Sequence, residues 1–100
     1  MNNAIHPIDP KYGVTQTDSG EFIVCKNKTG EPVPSDEPMI LFRARDKHAI
    51  NMLHFYRSQC LADGCTPEHM AGIENRIAAF REFAQAHPGR MKQPGITRGL

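Results

Sequence analysis

Residues 62–69, ADGCTPEH, decide how this chain folds. Gly64 suits the position just past a helix C-terminus, where the backbone turns left-handed at no steric cost. Thr66 offers a hydroxyl to the free amides of a new helix, and Pro67 suits that helix's first position, where no N–H is needed. One helix therefore ends and another begins within a few residues, which folds the pair into an antiparallel hairpin.

Working outward from the turn, residues 47–62 read as the first helix, with Asp46 as its N-cap. Ala49, Leu53, Tyr56 and Cys60 centre its apolar face, Ile50 and Leu61 extend one side, and Met52 and Phe55 the other. At about 100° per residue these groups cover about 240°, more than one contact needs. The second helix is expected to run to about residue 87, with Met70, Ile73, Ile77, Phe80 and Ala84 in the alternating three–four spacing of a helix–helix seam.

The N-terminal half has the other periodicity. Residues 12–16 alternate, Asp18, Ser19 and Gly20 supply turn chemistry, and residues 22–25 are rich in β-formers, so the pair predicts a hairpin. Residues 27–38 carry three prolines and a glycine and read as a loop. Residues 39–45 predict a third strand, with Ile40, Phe42 and Ala44 on one face and Met39, Leu41, Arg43 and Arg45 on the other. The expected fold class is α+β: a small three-stranded antiparallel sheet followed by an antiparallel helical hairpin. Residues 1–10 are expected to form an extended arm, 11–87 a single domain, and 88–100 a basic flexible tail.

Composition sets the class. The chain has 100 residues, a net charge of +1 and three cysteines. A domain of this length has a modest core. Residues 1–46 hold five basic and seven acidic groups, residues 47–100 seven and four, and Arg90, Lys92 and Arg98 stand in a tail without an acid. The N-terminus has neither a basic nor an apolar signal region, and no apolar run has membrane-spanning length. The expectation is a cytoplasmic protein with reduced thiols and no membrane contact.

Four sets of residues could bear function. Arg43, Arg45 and Lys47, just before a helix N-terminus, could hold an anion, or could be the charged outer face of an edge strand. Arg57 lies on an apolar flank of the first helix, which favours either an ion pair or a partner-facing charge. His69, Arg76 and Phe83 line one edge of the second helix, either a stacking edge or a solvated flank. Met52, Phe55 and Phe83, with His48 beside the first two, are apolar groups left over once the helices pair, and they mark a partner-binding surface unless the termini fold over them.

His54, Cys60, Cys65 and His69 have the side chains of a zinc site. Against zinc, Thr66 and Pro67 place Cys65 outside the second helix, His54 and Cys60 point about 120° apart on the first, and no CxxC pair occurs. Cys60 then reads as a small core residue and Cys65 as an exposed thiol, with no metal or other cofactor expected. No phosphate loop, GxSxG elbow or HExxH motif is present, so an enzyme is not expected.

The loop and strand EPVPSDEPMILFRARD (residues 31–46) and the segment FAQAHPGRMKQP (residues 83–94) resemble a group of small, largely uncharacterised phage and prophage proteins. These share a proline-rich acidic loop, a strand ending in R-A-basic-D, an amphipathic helix and an HP-x-R-M-K-x-P tail. The resemblance implies an accessory protein inside a bacterial host cell and carries over no catalytic residue. The function expected is a non-enzymatic interaction protein that binds a host protein or a second copy of itself. The alternatives are an anion-binding module for nucleic acid or a phosphorylated small molecule, and a zinc-stabilised helical hairpin.

Overall fold

The computed structural model describes residues 3–93 and 95. Its elements are β1 (Ile5–Pro7), β2 (Tyr12–Gln16), β3 (Phe22–Lys26), α1 (Ala49–Ala62) and α2 (Pro67–Ala86), followed by a single 3-10 turn, Pro88–Arg90. The fold is α+β: a three-stranded antiparallel sheet, then two helices. The chain divides into two compact units, one up to Ile40 and one from Leu41 onward.

In the first unit, β2 and β3 pair from Tyr12↔Lys26 to Gln16↔Phe22, as the hairpin pattern predicts. Gly20 takes φ +91°, a left-handed value that favours glycine, and the Thr17 hydroxyl accepts from the Glu21 amide at 3.1 Å. The third strand is not residues 39–45. It is β1, from the expected N-terminal arm, paired to the open edge of β2 at Ile5↔Thr15, His6↔Val14 and Pro7↔Gly13.

Two local causes explain the exchange. Asp9 closes a turn between β1 and β2, its carboxylate accepting from the amides of Lys11 at 2.8 Å and Tyr12 at 2.6 Å. Gly13 then lets β1 come close: a Cβ there would lie 2.8 Å from the His6 carbonyl oxygen and would also meet Asn27 Oδ1. On the far side of β3, the Val33 amide donates to the Val24 carbonyl at 2.9 Å, but the pairing amounts to one isolated bridge, Cys25↔Pro32. Beyond this bridge the pairing stops, and residues 39–45 form no strand.

In the second unit, Cys60, Ile73 and Ile77 are buried, and Leu53, Cys65 and Met70 pack against them. The helices end and begin as residues 62–69 dictate. Gly64 has φ +71°, its amide donates to the Leu61 carbonyl at 3.2 Å, and the Cys65 amide donates back to the Cys60 carbonyl at 3.0 Å. These two bonds make a Schellman stop. Thr66 caps α2 by accepting from the His69 amide at 3.2 Å.

The start of α1 departs from expectation. Its N-cap is His48, without a side-chain cap, and Asp46 stands two residues earlier, where its carboxylate accepts from the His48 amide at 2.8 Å. The reason is the pairing of this segment with the chain's end. The Lys92 amide donates to the Arg45 carbonyl at 2.7 Å, and the Lys47 amide donates to the Lys92 carbonyl at 2.9 Å, a parallel bridge centred on Asp46 and Lys92. Within the expected tail, Pro88–Arg90 thus forms a 3-10 turn and Lys92 this bridge. Residues 94 and 96–100, including Arg98, lie outside the described residues.

Candidate functional site

The exposed face of α1 follows from its pairing with α2. Leu53 and Cys60 turn into the hairpin seam. Met52 and Phe55, about 80° and 140° round the helix from Cys60 and next to His48, stay 48% and 63% exposed. Phe83 is not part of this face. It is half-buried, with the His87 ring centroid at 5.1 Å and the Arg90 guanidinium carbon 4.7 Å from its own centroid. Of the three leftover apolar side chains, one is covered by the chain's own end and two are open. A further open stretch is the former strand candidate: Met39, Ile40, Leu41 and Phe42 are all exposed, Ile40 at 78%.

Arg57 spans the hairpin. Its Nη2 lies 2.7 Å and its Nε 3.1 Å from one oxygen of Glu74, with the pair 36% and 56% exposed. This is the ion-pair alternative for a charge on an apolar flank. His69 and Arg76 also have partners, the Tyr56 hydroxyl at 3.1 Å and the Asn75 side chain at 2.9 Å.

Arg43, Arg45 and Lys47 are exposed but share no strand face, because residues 43–47 turn rather than extend. Their backbone is engaged: the Arg43 carbonyl accepts from the Asp46 amide at 3.0 Å, and Arg45 and Lys47 flank Lys92. Among the described residues, none of the three side chains has an ion-pair partner. The first turn of α1, which they precede, holds no acid.

The four-residue thiol and imidazole set is resolved into three plus one. Ligand atoms of Cys60, Cys65 and His69 all lie within 4.8 Å of one another, and His54 is not among them. Cys65 is half-buried rather than exposed. Its thiol pKa is raised, first by a hydrogen bond with Cys60, then by desolvation and by the charges of Cys60 and Asp63. The sequence signal for this grouping was Gly64: a Schellman stop returns the second residue after the cap to the carbonyl three before it, here Cys65 to Cys60. Nothing in the sequence marked the Tyr56 hydroxyl as the partner of His69, or Lys92 as the partner of Arg45.

Comparison with protein-family models, with curated proteins and with solved structures finds no match to this chain. Among the described residues, no helix is long and apolar enough to cross a membrane.

Proposed function

We propose that the chain is a non-enzymatic interaction protein that uses the outer face of α1 to bind a protein partner, either a host protein or a second copy of itself. One observation carries the reading: Met52 and Phe55 remain open, one turn apart on one flank of α1, while Leu53 and Cys60 are used in the hairpin seam. Large apolar side chains grouped on one face lose little by leaving a monomer's surface and gain by burial against a partner. His48 borders the pair and adds a polar rim. The resemblance to small phage and prophage proteins supplies the setting, an accessory protein acting on a bacterial host factor.

The test is light scattering across a concentration series, together with capture from bacterial lysate, for the wild type and for Phe55→Asp. Expected is self-association or capture of a discrete protein by the wild type, lost in a variant with an unchanged circular dichroism spectrum. A monomer at every concentration, with identical capture by wild type and variant, refutes the reading.

A second reading has its own support. The α1 N-terminus has no side-chain cap from His48 and no acid in its first turn, and Arg45, Lys47 and the bridging Lys92 add cations for a phosphate-bearing ligand. Binding of this kind weakens steeply with salt. A low-salt titration with DNA, RNA and nucleotides, repeated on Arg45→Glu, checks it. Absence of any salt-sensitive response ends this reading and leaves the first intact.

A further inference from the structure

We infer that Cys60, Cys65 and His69 form a binding site for one thiophilic divalent ion, zinc foremost, at the turn joining α1 to α2.

The site follows from the two helix ends. Cys60 is the third residue before the α1 C-cap, Asp63, and Cys65 the second after it. The Schellman bond from the Cys65 amide to the Cys60 carbonyl fixes these two backbones side by side. Thr66 then caps α2, and its hydroxyl accepts from the amide of His69, the third residue of that helix. The backbones that carry all three donors are thus fixed by the Schellman bond and the Thr66 cap. This removes the objection that Cys65 lies outside the second helix. The residue is outside it, and the turn geometry is what returns it to Cys60.

The distances suit a tetrahedral ion. With Zn–S near 2.3 Å and Zn–N near 2.0 Å, neighbouring donors around zinc stand about 3.5–3.8 Å apart. Here none is more than 4.8 Å from another, so closing on an ion takes shifts of about 1 Å, within the reach of side-chain torsions. Two thiolates cancel the charge of a divalent ion, which matters because Cys60 is buried and the other two ligands are half-buried. Soft sulfur ligands with one imidazole favour zinc over magnesium or calcium.

A metal-binding histidine commonly gives its second ring nitrogen to an outer partner that fixes the ring. With Nδ1 as the ligating nitrogen, Tyr56 supplies such a partner: its hydroxyl is 3.1 Å from His69 Nε2, and the rings meet edge to face at 6.0 Å. The fourth position of the tetrahedron is left to water or to a donor from outside the chain. Ordinary thiol packing accounts for Cys60 and Cys65 alone, since the Schellman stop normally joins these two positions by an apolar contact. It does not account for a braced imidazole at the same point.

The experiment uses the full chain without an affinity tag, its thiols kept reduced and confirmed so by mass. Cobalt(II) is titrated first, because thiolate ligation gives charge-transfer absorption and tetrahedral ligation gives intense visible bands. Expected are both, saturating at one ion per chain and abolished by zinc, and zinc-dependent protection of Cys60 and Cys65 against alkylation. Cys65→Ser and His69→Gln should each lower affinity at least about tenfold, the least that loss of even an outer partner costs. His54→Gln should bind as the wild type does, and metal-free circular dichroism spectra verify that the variants are folded. Lack of thiolate–cobalt absorption in the reduced wild type overturns the site. So does wild-type affinity in folded His69→Gln, or an equal loss in His54→Gln.

Discussion

The sheet and the hairpin are held together in different ways. Among the described residues, the one fully buried side chain of the sheet unit is the small Cys25. Its strands are tied by ladder bonds and by polar turn residues: Asp9, Thr17 and Asn27, whose Nδ2 donates to the Asp9 carbonyl at 2.7 Å. The hairpin rests on an apolar seam of Cys60, Ile73 and Ile77 with Leu53 and Met70. Apolar burial is additive and insensitive to angle, whereas turn bonds are directional and weak one by one. The hairpin should therefore be most sensitive to lost volume, and the sheet to lost or altered backbone geometry.

The largest effect is expected from Ile77→Ala. Truncating a buried isoleucine costs about 2–4 kcal/mol through lost transfer energy and the cavity left behind. Ile77 is 6% exposed in a seam with few other buried groups. Urea denaturation followed at a helical wavelength measures it. A loss below about 1 kcal/mol would mean the seam collapses around the gap, and the contrast with the sheet would break.

Gly13→Ala comes next and tests the other half of the comparison. The added methyl meets the His6 carbonyl, a backbone group that moves only if β1 moves. Overpacking of this kind costs about 1–3 kcal/mol. Amide exchange should accelerate at the β1–β2 pairs, with the β2–β3 pairs less affected. Unchanged exchange in β1 would show that the close approach is not a constraint. Thr66→Ala should cost about 1 kcal/mol by freeing the His69 amide from its cap. It should also weaken cobalt binding if His69 is a ligand, which links a stability measurement to the proposed metal site.

This division also explains what was legible in the sequence. Helix signals are local. Gly64, Thr66, Pro67 and the spacing from Met70 to Ala84 lie within a few turns of what they control, and α1 and α2 end where those residues place them. The β2–β3 hairpin was legible for the same reason, its turn being contiguous with both strands. The third strand was not. Residues 39–45 have strand composition but no accessible ladder, whereas Ile5–Pro7 has poor composition and a turn, Asp9–Pro10, that delivers it to an open edge. Asp-Pro is a turn signal in its own right, so the clue was present and outweighed by apolar content. The Lys92 pairing with Arg45 and Lys47 joins segments far apart in sequence and had no local signal. It displaced the expected cap from Asp46 to His48. Among site residues, the open Met52 and Phe55 followed from the helical wheel, while the cover over Phe83 depended on where the chain's end went.

The smallest effect is expected at Arg57, and it is the most useful for separating structure from function. Partly exposed ion pairs contribute about 0–1 kcal/mol, because solvent screens the attraction and two long side chains lose freedom. Arg57→Met keeps most of the apolar stem and removes the charge. A double-mutant cycle with Glu74→Gln should give a coupling of about 0.3–1 kcal/mol. If the pair is only a tie between α1 and α2, both single variants should bind a partner as the wild type does, because Phe55 rather than Arg57 faces outward. Suppose instead that Arg57→Met loses partner binding while Glu74→Gln retains it. The guanidinium would then leave Glu74 to meet the partner, and the ion pair would be the resting position of a binding residue. Thermal denaturation cannot tell these cases apart, since both predict a small change in stability. Capture measured on the two single variants in parallel can.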